Sequence, residues 1–287
     1  MKIETCAFGI PKDSCNPQRL VPCSPLTCGE DSFCITETDS HLYLGIADEA
    51  AGYTVEDNGN SKVVAQSLMN NIPKVIAKKS KAKKAAILQP KRILKSAFVH
   101  LVNDVRKKRI ENIRNGGRAT ACLISINKDS ADLKFANLGD SGFIILSPDS
   151  NGTYKVNFKS EYQLNGYNNP LRFSMMIDHY MDSDYFYIGV NTRDITVKRK
   201  EVILLMTDGV FDNLFDYELE KIVTVFMMWS EDSATQLAEN VAFAARKRSH
   251  EDWERIPMDV EAEKYGIERF EGGKPDDITV ISAIIDY

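Results

Sequence analysis

The stretch HLYLGIADEAAGY, residues His41–Tyr53, joins an apolar run to a pair of acids. The run Leu42–Ala47 has the length and composition of a buried strand, and it ends on Asp48 and Glu49. A carboxylate at the end of a buried strand is costly unless it is paired or bound. The stretch therefore predicts a strand that carries Asp48 to a site where its charge is needed.

The same arrangement recurs along the chain, because five separated segments place acids at a strand end or in a strand-linked turn. Each acid alone is ordinary turn chemistry, but the set is harder to explain in that way. Lys and Arg do not mark these strand ends, so ion pairing is not the expected way to stabilise the charges. The acids are Glu30 and Asp31, Asp48, Asp140, Asp208 and Asp212, and Asp276 and Asp277.

Divalent cations are the partners that this pattern indicates. Mg²⁺ and Mn²⁺ prefer oxygen ligands. When several acids converge, two ions can share a bridging Asp and hold a water that becomes a nucleophile near neutral pH. The pattern therefore predicts a hydrolytic site, most naturally for a phosphate ester whose oxygens also bind the ions.

The composition is that of an ordinary globular protein. The chain has 287 residues, of which 43% are hydrophobic and 27% charged, and its net charge is -5. This charge argues against a nucleic-acid binder, and no apolar run has the length of a membrane span. We expect a single domain over residues 1–287 that acts as a monomer. The N-terminus has no signal or transit pattern, which predicts a cytoplasmic protein, or a mitochondrial one if a targeting segment has been removed.

Strand-like and helical segments alternate in blocks. Residues 1–28 are rich in turn formers and are predicted to be irregular. Gln163–Asn191 is predicted to be a long loop, for which two interpretations are open: packing onto the body of the domain, which is the more typical, or a flap near the site. The segment KRILKSAFVHLVNDVRKKR places apolar residues on one helical face. Runs of strands with helical pairs between them predict an α+β architecture with antiparallel sheets.

Five of the six cysteines lie in the first 34 residues. A zinc site is one interpretation, but the chain has no Cys-x-x-Cys pair and no nearby His to complete a site. The pattern is more typical of free thiols in a reducing cytosol. Cys34 and Cys122 are expected to pack as small apolar residues.

Six motifs together carry a family resemblance. They are, in chain order, GEDSF, YLGIADEAAGY, GRATACLISI, FANLGDSGFIIL, VILLMTDGVFDNL and GGKPDDITVISAII. From about Cys6 to Tyr287 the chain resembles the metal-dependent Ser/Thr protein phosphatases of the 2C type, and within them the compact branch that includes mitochondrial matrix phosphatases. The resemblance implies an antiparallel β-sandwich flanked by helices on both faces, a four-layer αββα arrangement. It also implies two metal ions, Mg²⁺ or Mn²⁺, in a cleft at one end, and a phosphoprotein substrate.

The resemblance also implies roles for individual acids. Asp48 would bridge the two ions, Glu30 would bind one of them, and the backbone carbonyl of Glu49 would be a further ligand. Asp208 and Asp276 would bind the other ion, and Asp140 would join Asp208 at a weaker third metal. Asp48 and Asp208 are therefore the residues that we expect to be catalytic. The acids expected to support the site, through water, are Asp31 and Asp212.

Three positions depart from the family pattern. Glu49 stands where most members have Gly, Ala50 where many have a His that serves as a general acid, and Leu26 where many have a phosphate-binding Arg. These departures leave open a pseudophosphatase that regulates a partner by binding it. A phosphoesterase for small molecules with the same metal centre is also open.

Overall fold

Within the residues that the structure describes, two antiparallel sheets of five strands each form the middle of the molecule. The protein is described by a computed structural model at residues 1–13, 28–48, 62–81, 89–107, 110, 117–174, 192–229, 233–268 and 272–286. The first sheet has the order β1 (Lys2–Ile10), β12 (Ile278–Asp286), β11 (Val202–Met206), β7 (Gly142–Pro148) and β8 (Tyr154–Lys159). The second has the order β10 (Asp194–Thr196), β6 (Asp132–Leu138), β5 (Ala121–Asn127), β3 (His41–Ala47) and β2 (Ser32–Glu37).

Helices cover the outer face of each sheet. Against the second sheet lie α1 (Lys62–Lys81) and α2 (Pro90–Arg106), and α1 continues through Pro73. The short α3 (Asp208–Phe211) follows β11, and the first sheet is covered by α4 (Asp216–Trp229) and α5 (Ala234–Arg248). A last helix, α6 (Pro257–Lys264), precedes β12. The small pair β4 (Arg118–Ala119) and β9 (Phe173–Ser174) completes the described elements.

Among the described residues, buried apolar side chains form three clusters, one in each gap between layers. The cluster between the sheets includes Leu44, Ile124 and Ile281. Burial of this apolar surface is the main force that holds the layers together. The four-layer αββα fold is therefore confirmed. The predicted apolar face of α2 is also confirmed at its buried members, which are Ile93, Leu94, Ala97, Phe98 and Leu101.

The N-terminal segment departs from the prediction. Residues 1–28 were expected to be irregular, but β1 pairs with β12 along its whole length, from Lys2 opposite Asp286 to Ile10 opposite Ile278. The reason is that β1 is an edge strand whose hydrogen bonds come from the other end of the chain, so its local sequence carries a weak signal. The buried ring of Phe8 determines which face of β1 is turned toward the core.

The cysteine prediction is wrong at one described position. Cys28 is disulfide-bonded, and its partner lies outside the described residues. Spacing along the chain cannot show which cysteines meet in space, and this is the reason that the pairing was missed. Cys6, Cys34 and Cys122 are free thiols, and the expected burial of Cys34 and Cys122 is confirmed.

The predicted loop Gln163–Asn191 is described only in its first part. That part contains an isolated bridge between Leu164 and Pro170 and ends in β9. Residues 175–191, which include most of the segment considered as a flap, lie outside the described residues. No helix in the described ranges is long and apolar enough to cross a membrane.

Candidate metal centre

The strand register brings the acid-bearing ends together at one end of the sandwich. Ser32 pairs with Ala47, which sets the start of β2 beside the end of β3. Met206, at the end of β11, pairs with both Val280 and Gly142, near the starts of β12 and β7. Because antiparallel neighbours exchange starts and ends, acids that follow one strand meet acids that precede the next.

Asp48 lies at the middle of this group. Burial raises the pKa of Asp48 well above its usual value, and the charges of four neighbouring carboxylates raise it further. These predicted acids come from separate segments of the chain, and their charges act on Asp48. The four neighbours, in decreasing order of effect, are Asp208, Asp31, Asp276 and Asp140.

Thr120 and Ser141 fix the backbone that presents Asp48. The Thr120 N–H donates to the Asp48 carbonyl at 2.8 Å, and the Asp48 N–H donates to Thr120 Oγ1 at 3.2 Å. Thr120 Oγ1 is also 2.7 Å from Ser141 Oγ, in the turn that carries Asp140. The end of β3 is thereby tied to the turn between β6 and β7, so two of the predicted acids have fixed relative positions.

The prediction that no Lys or Arg side chain pairs with the acids at these strand ends is wrong at Lys274. Its Nζ lies 2.7 Å from Asp208 Oδ2, 2.6 Å from Asp212 Oδ2 and 3.2 Å from Asp276 Oδ2. Local sequence carries little sign of this contact, because Lys274 stands in a loop before β12, 66 residues from Asp208. The residue was therefore missed, and its signal was only its place two residues before Asp276.

Asn213 fixes the backbone of Lys274. Its Oδ1 accepts from the Lys274 N–H at 2.9 Å, and its Nδ2 donates to the Lys274 carbonyl at 2.9 Å. The same Nδ2 donates to the Gly209 carbonyl at 2.9 Å, which ties the loop to α3. Asn213 thus holds the loop that carries Lys274 by backbone hydrogen bonds, and the carboxylates hold the ammonium separately.

Lys274 and the acids around it shift one another's pKa values. Burial alone would raise the pKa of Asp208, but the Lys274 charge and hydrogen bond lower it overall. For Asp276 burial raises the pKa to about 6, with the charge of Asp208 adding to the shift and Lys274 opposing it. Burial would lower the pKa of Lys274, but the three acids raise it well above its usual value, so the group is a cation.

Asp277, which was predicted only as one of the acids at strand ends, positions Glu30. Its Oδ2 accepts from the Glu30 N–H at 2.6 Å, and its Oδ1 accepts from the Lys12 N–H at 2.6 Å. Gly29 makes this approach feasible, because its φ is +72° and a Cβ there would lie 2.1 Å from Asp277 Oδ1. The Glu30 side chain is exposed. The signal in the sequence was the second acid of KPDD.

The structure thus groups most of the predicted acids but not all of them. Asp48, Asp140, Asp208 and Asp276 lie together, and Glu30 reaches the group through its backbone contact with Asp277. Glu49 lies outside the described residues, as do Ala50 and Leu26.

The donor set fits a hard divalent cation. Every grouped side chain offers carboxylate oxygens, and Asp140 Oδ1 is buried without a hydrogen-bond partner among the described residues. In the same part of the chain, no three Asp, Glu, His or Cys side chains converge tightly enough to hold an ion as they stand. The Lys274 ammonium occupies the space between Asp208 and Asp276.

A cavity of about 550 Å³ opens beside the acids. Asp140 and Asp212 line one part of it, and the rings of Tyr162, Phe211 and Phe215 form an aromatic wall. Burial raises the pKa of Tyr162 well above its usual value, and the nearby acids add to the shift, so its hydroxyl stays protonated. The cavity therefore offers an apolar wall next to the carboxylates of Asp140 and Asp212.

Comparisons with known proteins agree in fold and in sequence. The family model "Protein phosphatase 2C" matches residues 29–160. A "Protein phosphatase PTC7 homolog fig" from Drosophila grimshawi is 30% identical over 263 residues, which cover 90% of this chain and 80% of that one. The protein of the same name from Drosophila mojavensis is 31% identical over 262 residues, with 90% and 78% covered. The X-ray structure of the photosystem II phosphatase PBCP superposes with a TM-score of 0.74 at 22% identity and covers 99% of each chain.

Proposed function

Because the chain belongs to the protein phosphatase 2C family, we propose that its acidic centre hydrolyses phosphoserine and phosphothreonine in proteins. The protein is a metal-dependent Ser/Thr phosphatase, and the centre is its proposed active site. The observation that carries this proposal is the position of Asp48 among four other carboxylates beside a cavity. The finer proposal is that Asp48 would help to hold two ions, Mg²⁺ or Mn²⁺, and that a third ion would bind more weakly.

The residues of the centre divide into ligands and supports. Asp208 and Asp276 would hold one ion, and Glu30 and the carbonyl of Glu49 would hold the other. Asp140 would serve the weaker third site together with Asp208. The bound ions supply Lewis acidity, which makes water a nucleophile near neutral pH and neutralises charge on a phosphate. In the reaction a water oxygen forms a bond to phosphorus, the bond from phosphorus to the Ser or Thr oxygen breaks, and that oxygen takes up a proton.

Other side chains keep the ligands in place. Thr120 holds the main chain of Asp48 through hydrogen bonds at both its N–H and its carbonyl. Asp277 holds the main chain of Glu30. Positions fixed in this way lower the reorganisation that the reaction requires.

The cavity supports a protein substrate. Its aromatic wall gives an apolar contact for the residues on either side of the phosphorylated one. The Tyr162 ring adds to this apolar contact, while its hydroxyl is buried from solvent. A small phosphate ester would fill only part of the 550 Å³.

Release of phosphate from a phosphoserine peptide tests this function. We expect turnover with Mn²⁺ or Mg²⁺, none with EDTA, and loss of turnover in Asp208→Asn. Asp286→Asn is the matched control, because its carboxylate forms an exposed ion pair with Arg199 at 3.2 Å, and it should keep full turnover. Equal rates in Asp208→Asn and the wild type would contradict the proposal, and a preference for small phosphate esters over the peptide would change the substrate class.

Two coarser expectations also belong to the proposal. We propose that the enzyme is a monomer, which light scattering after size-exclusion chromatography tests. We also propose a cytoplasmic enzyme, or a mitochondrial one after removal of a targeting segment, which imaging of a tagged chain tests.

A further inference from the structure

The Lys274 ammonium lies where a cation is most needed in the centre. It contacts Asp208, Asp212 and Asp276 at 2.7, 2.6 and 3.2 Å, and its side chain is 18% exposed. Buried carboxylates without compensating charge destabilise a fold. In the absence of a divalent ion, Lys274 supplies part of that compensation from within the chain.

The same contact obstructs an ion at the site. An Mg²⁺ ion requires carboxylate oxygens at about 2.0–2.1 Å and a nearly complete octahedron of ligands. Asp208 Oδ2 and Asp276 Oδ2 face the Lys274 ammonium, so an ion that took both oxygens would have to lie in the space that this ammonium fills. Two cations at that distance also repel each other. The ammonium and a divalent ion are therefore alternatives for these two acids.

The surroundings of Lys274 allow such an exchange without a change of fold. Asn213 fixes the backbone at both the N–H and the carbonyl of Lys274, so only the flexible side chain has to move. Asp212 lines the cavity and is assigned no direct bond to an ion, so it can keep the ammonium after the exchange.

We propose that the Lys274 ammonium is an internal cation that competes with divalent metal ions for Asp208 and Asp276, so that metal binding shifts it onto Asp212. The inference rests on the proposed metal centre. It offsets part of the negative charge of the centre and sets the metal affinity below the value that the carboxylates alone would give.

Calorimetric titration with Mn²⁺ tests the competition. We expect Lys274→Met to bind Mn²⁺ at least tenfold more tightly than the wild type, and to melt at a lower temperature than the wild type in EDTA. Lys247→Met is the matched control, because Lys247 is 82% exposed on α5 and its loss should change neither quantity. Equal or weaker Mn²⁺ binding by Lys274→Met would overturn the inference while leaving the proposed function intact. Absence of Mn²⁺ binding in both proteins would overturn the inference and the proposed function together.

Acetylation of lysines in the wild type tests the displacement without a variant. Lys274 should react slowly with an N-hydroxysuccinimide ester in EDTA, and at least fivefold faster when Mn²⁺ saturates the centre, as mass spectrometry of peptides reports. Lys247 serves as the internal standard with an unchanged rate. A Lys274 rate that Mn²⁺ leaves unchanged or lowers would show that the ammonium stays on the acids, which contradicts the exchange.

Discussion

Replacing Asp277 by Asn should destabilise the fold and weaken metal binding in the same variant. The Asp277 carboxylate accepts one hydrogen bond from the Glu30 N–H and one from the Lys12 N–H, both at 2.6 Å. Each joins segments that lie more than 200 residues apart along the chain. Asn has the same shape, but it offers one acceptor oxygen, and its amino group would face the second N–H donor.

The size of the effect follows from the bond that is lost. A hydrogen bond to a charged group contributes about 1.5–3 kcal/mol, and Asn retains one of the two. Burial raises the pKa of Asp277, so removal of its charge relieves part of the burial penalty. We therefore expect the free energy of unfolding to fall by about 2 kcal/mol. Mn²⁺ affinity should fall as well, because the backbone of Glu30 loses its anchor.

Urea unfolding in EDTA and Mn²⁺ calorimetry measure the two effects. Asp286→Asn is the control for removal of a carboxylate, since its partner Arg199 and its own side chain are more than half exposed, and it should change stability by less than about 1 kcal/mol. An unfolding free energy of Asp277→Asn within about 0.5 kcal/mol of the wild type would refute the reasoning, because the hydrogen bond that Asn cannot make would then contribute nothing measurable.

Two further predictions concern the backbone and the charge of the same centre. Gly209→Ala should lower the unfolding free energy by about 3 kcal/mol, because the new Cβ would lie 2.1 Å from the Asp277 carbonyl oxygen. Gly152→Ala is the control and should lower it by only about 1 kcal/mol, because Gly152 has φ +80° but open space around it. Equal losses of the two variants in urea unfolding would contradict this prediction. In EDTA the wild type should lose stability, relative to Asp276→Asn, as the pH rises from about 4 to about 6. The pKa of Asp276 is about 6 in the folded protein and near 3.9 in the unfolded chain. Because the unfolded chain releases this proton at lower pH, a rise in pH over that range favours unfolding. A wild type that gains stability over that pH range would show that this carboxyl is ionised at lower pH.

Patterns of local sequence predicted the parts of the structure that local sequence controls. The apolar run before Asp48 became β3, and the helical face around Phe98 became the buried side of α2. Acids at strand ends could be expected to meet, because antiparallel strands bring starts and ends together. This is why the grouping of Asp140 with Asp208 followed from the sequence alone.

Contacts between segments that lie far apart along the chain could not be predicted from local sequence. Strand β1 depends on β12 at the other end of the chain, and Lys12 reaches Asp277 across 265 residues. The contact of Lys274 was not predicted, since nothing local shows that its long side chain turns toward the carboxylates. The Cys28 disulfide has the same origin, because pairing depends on where the cysteines lie in the fold.

The central claim is that the carboxylates around Asp48 form the metal centre of a phosphatase. An anomalous-difference map at the manganese edge, from crystals grown with Mn²⁺, tests it most directly. We expect two peaks on either side of Asp48, with Asp208 and Asp276 bound to one and Glu30 to the other. Strong manganese peaks elsewhere, and none within bonding distance of Asp48 in a crystal of the folded chain, would contradict the account.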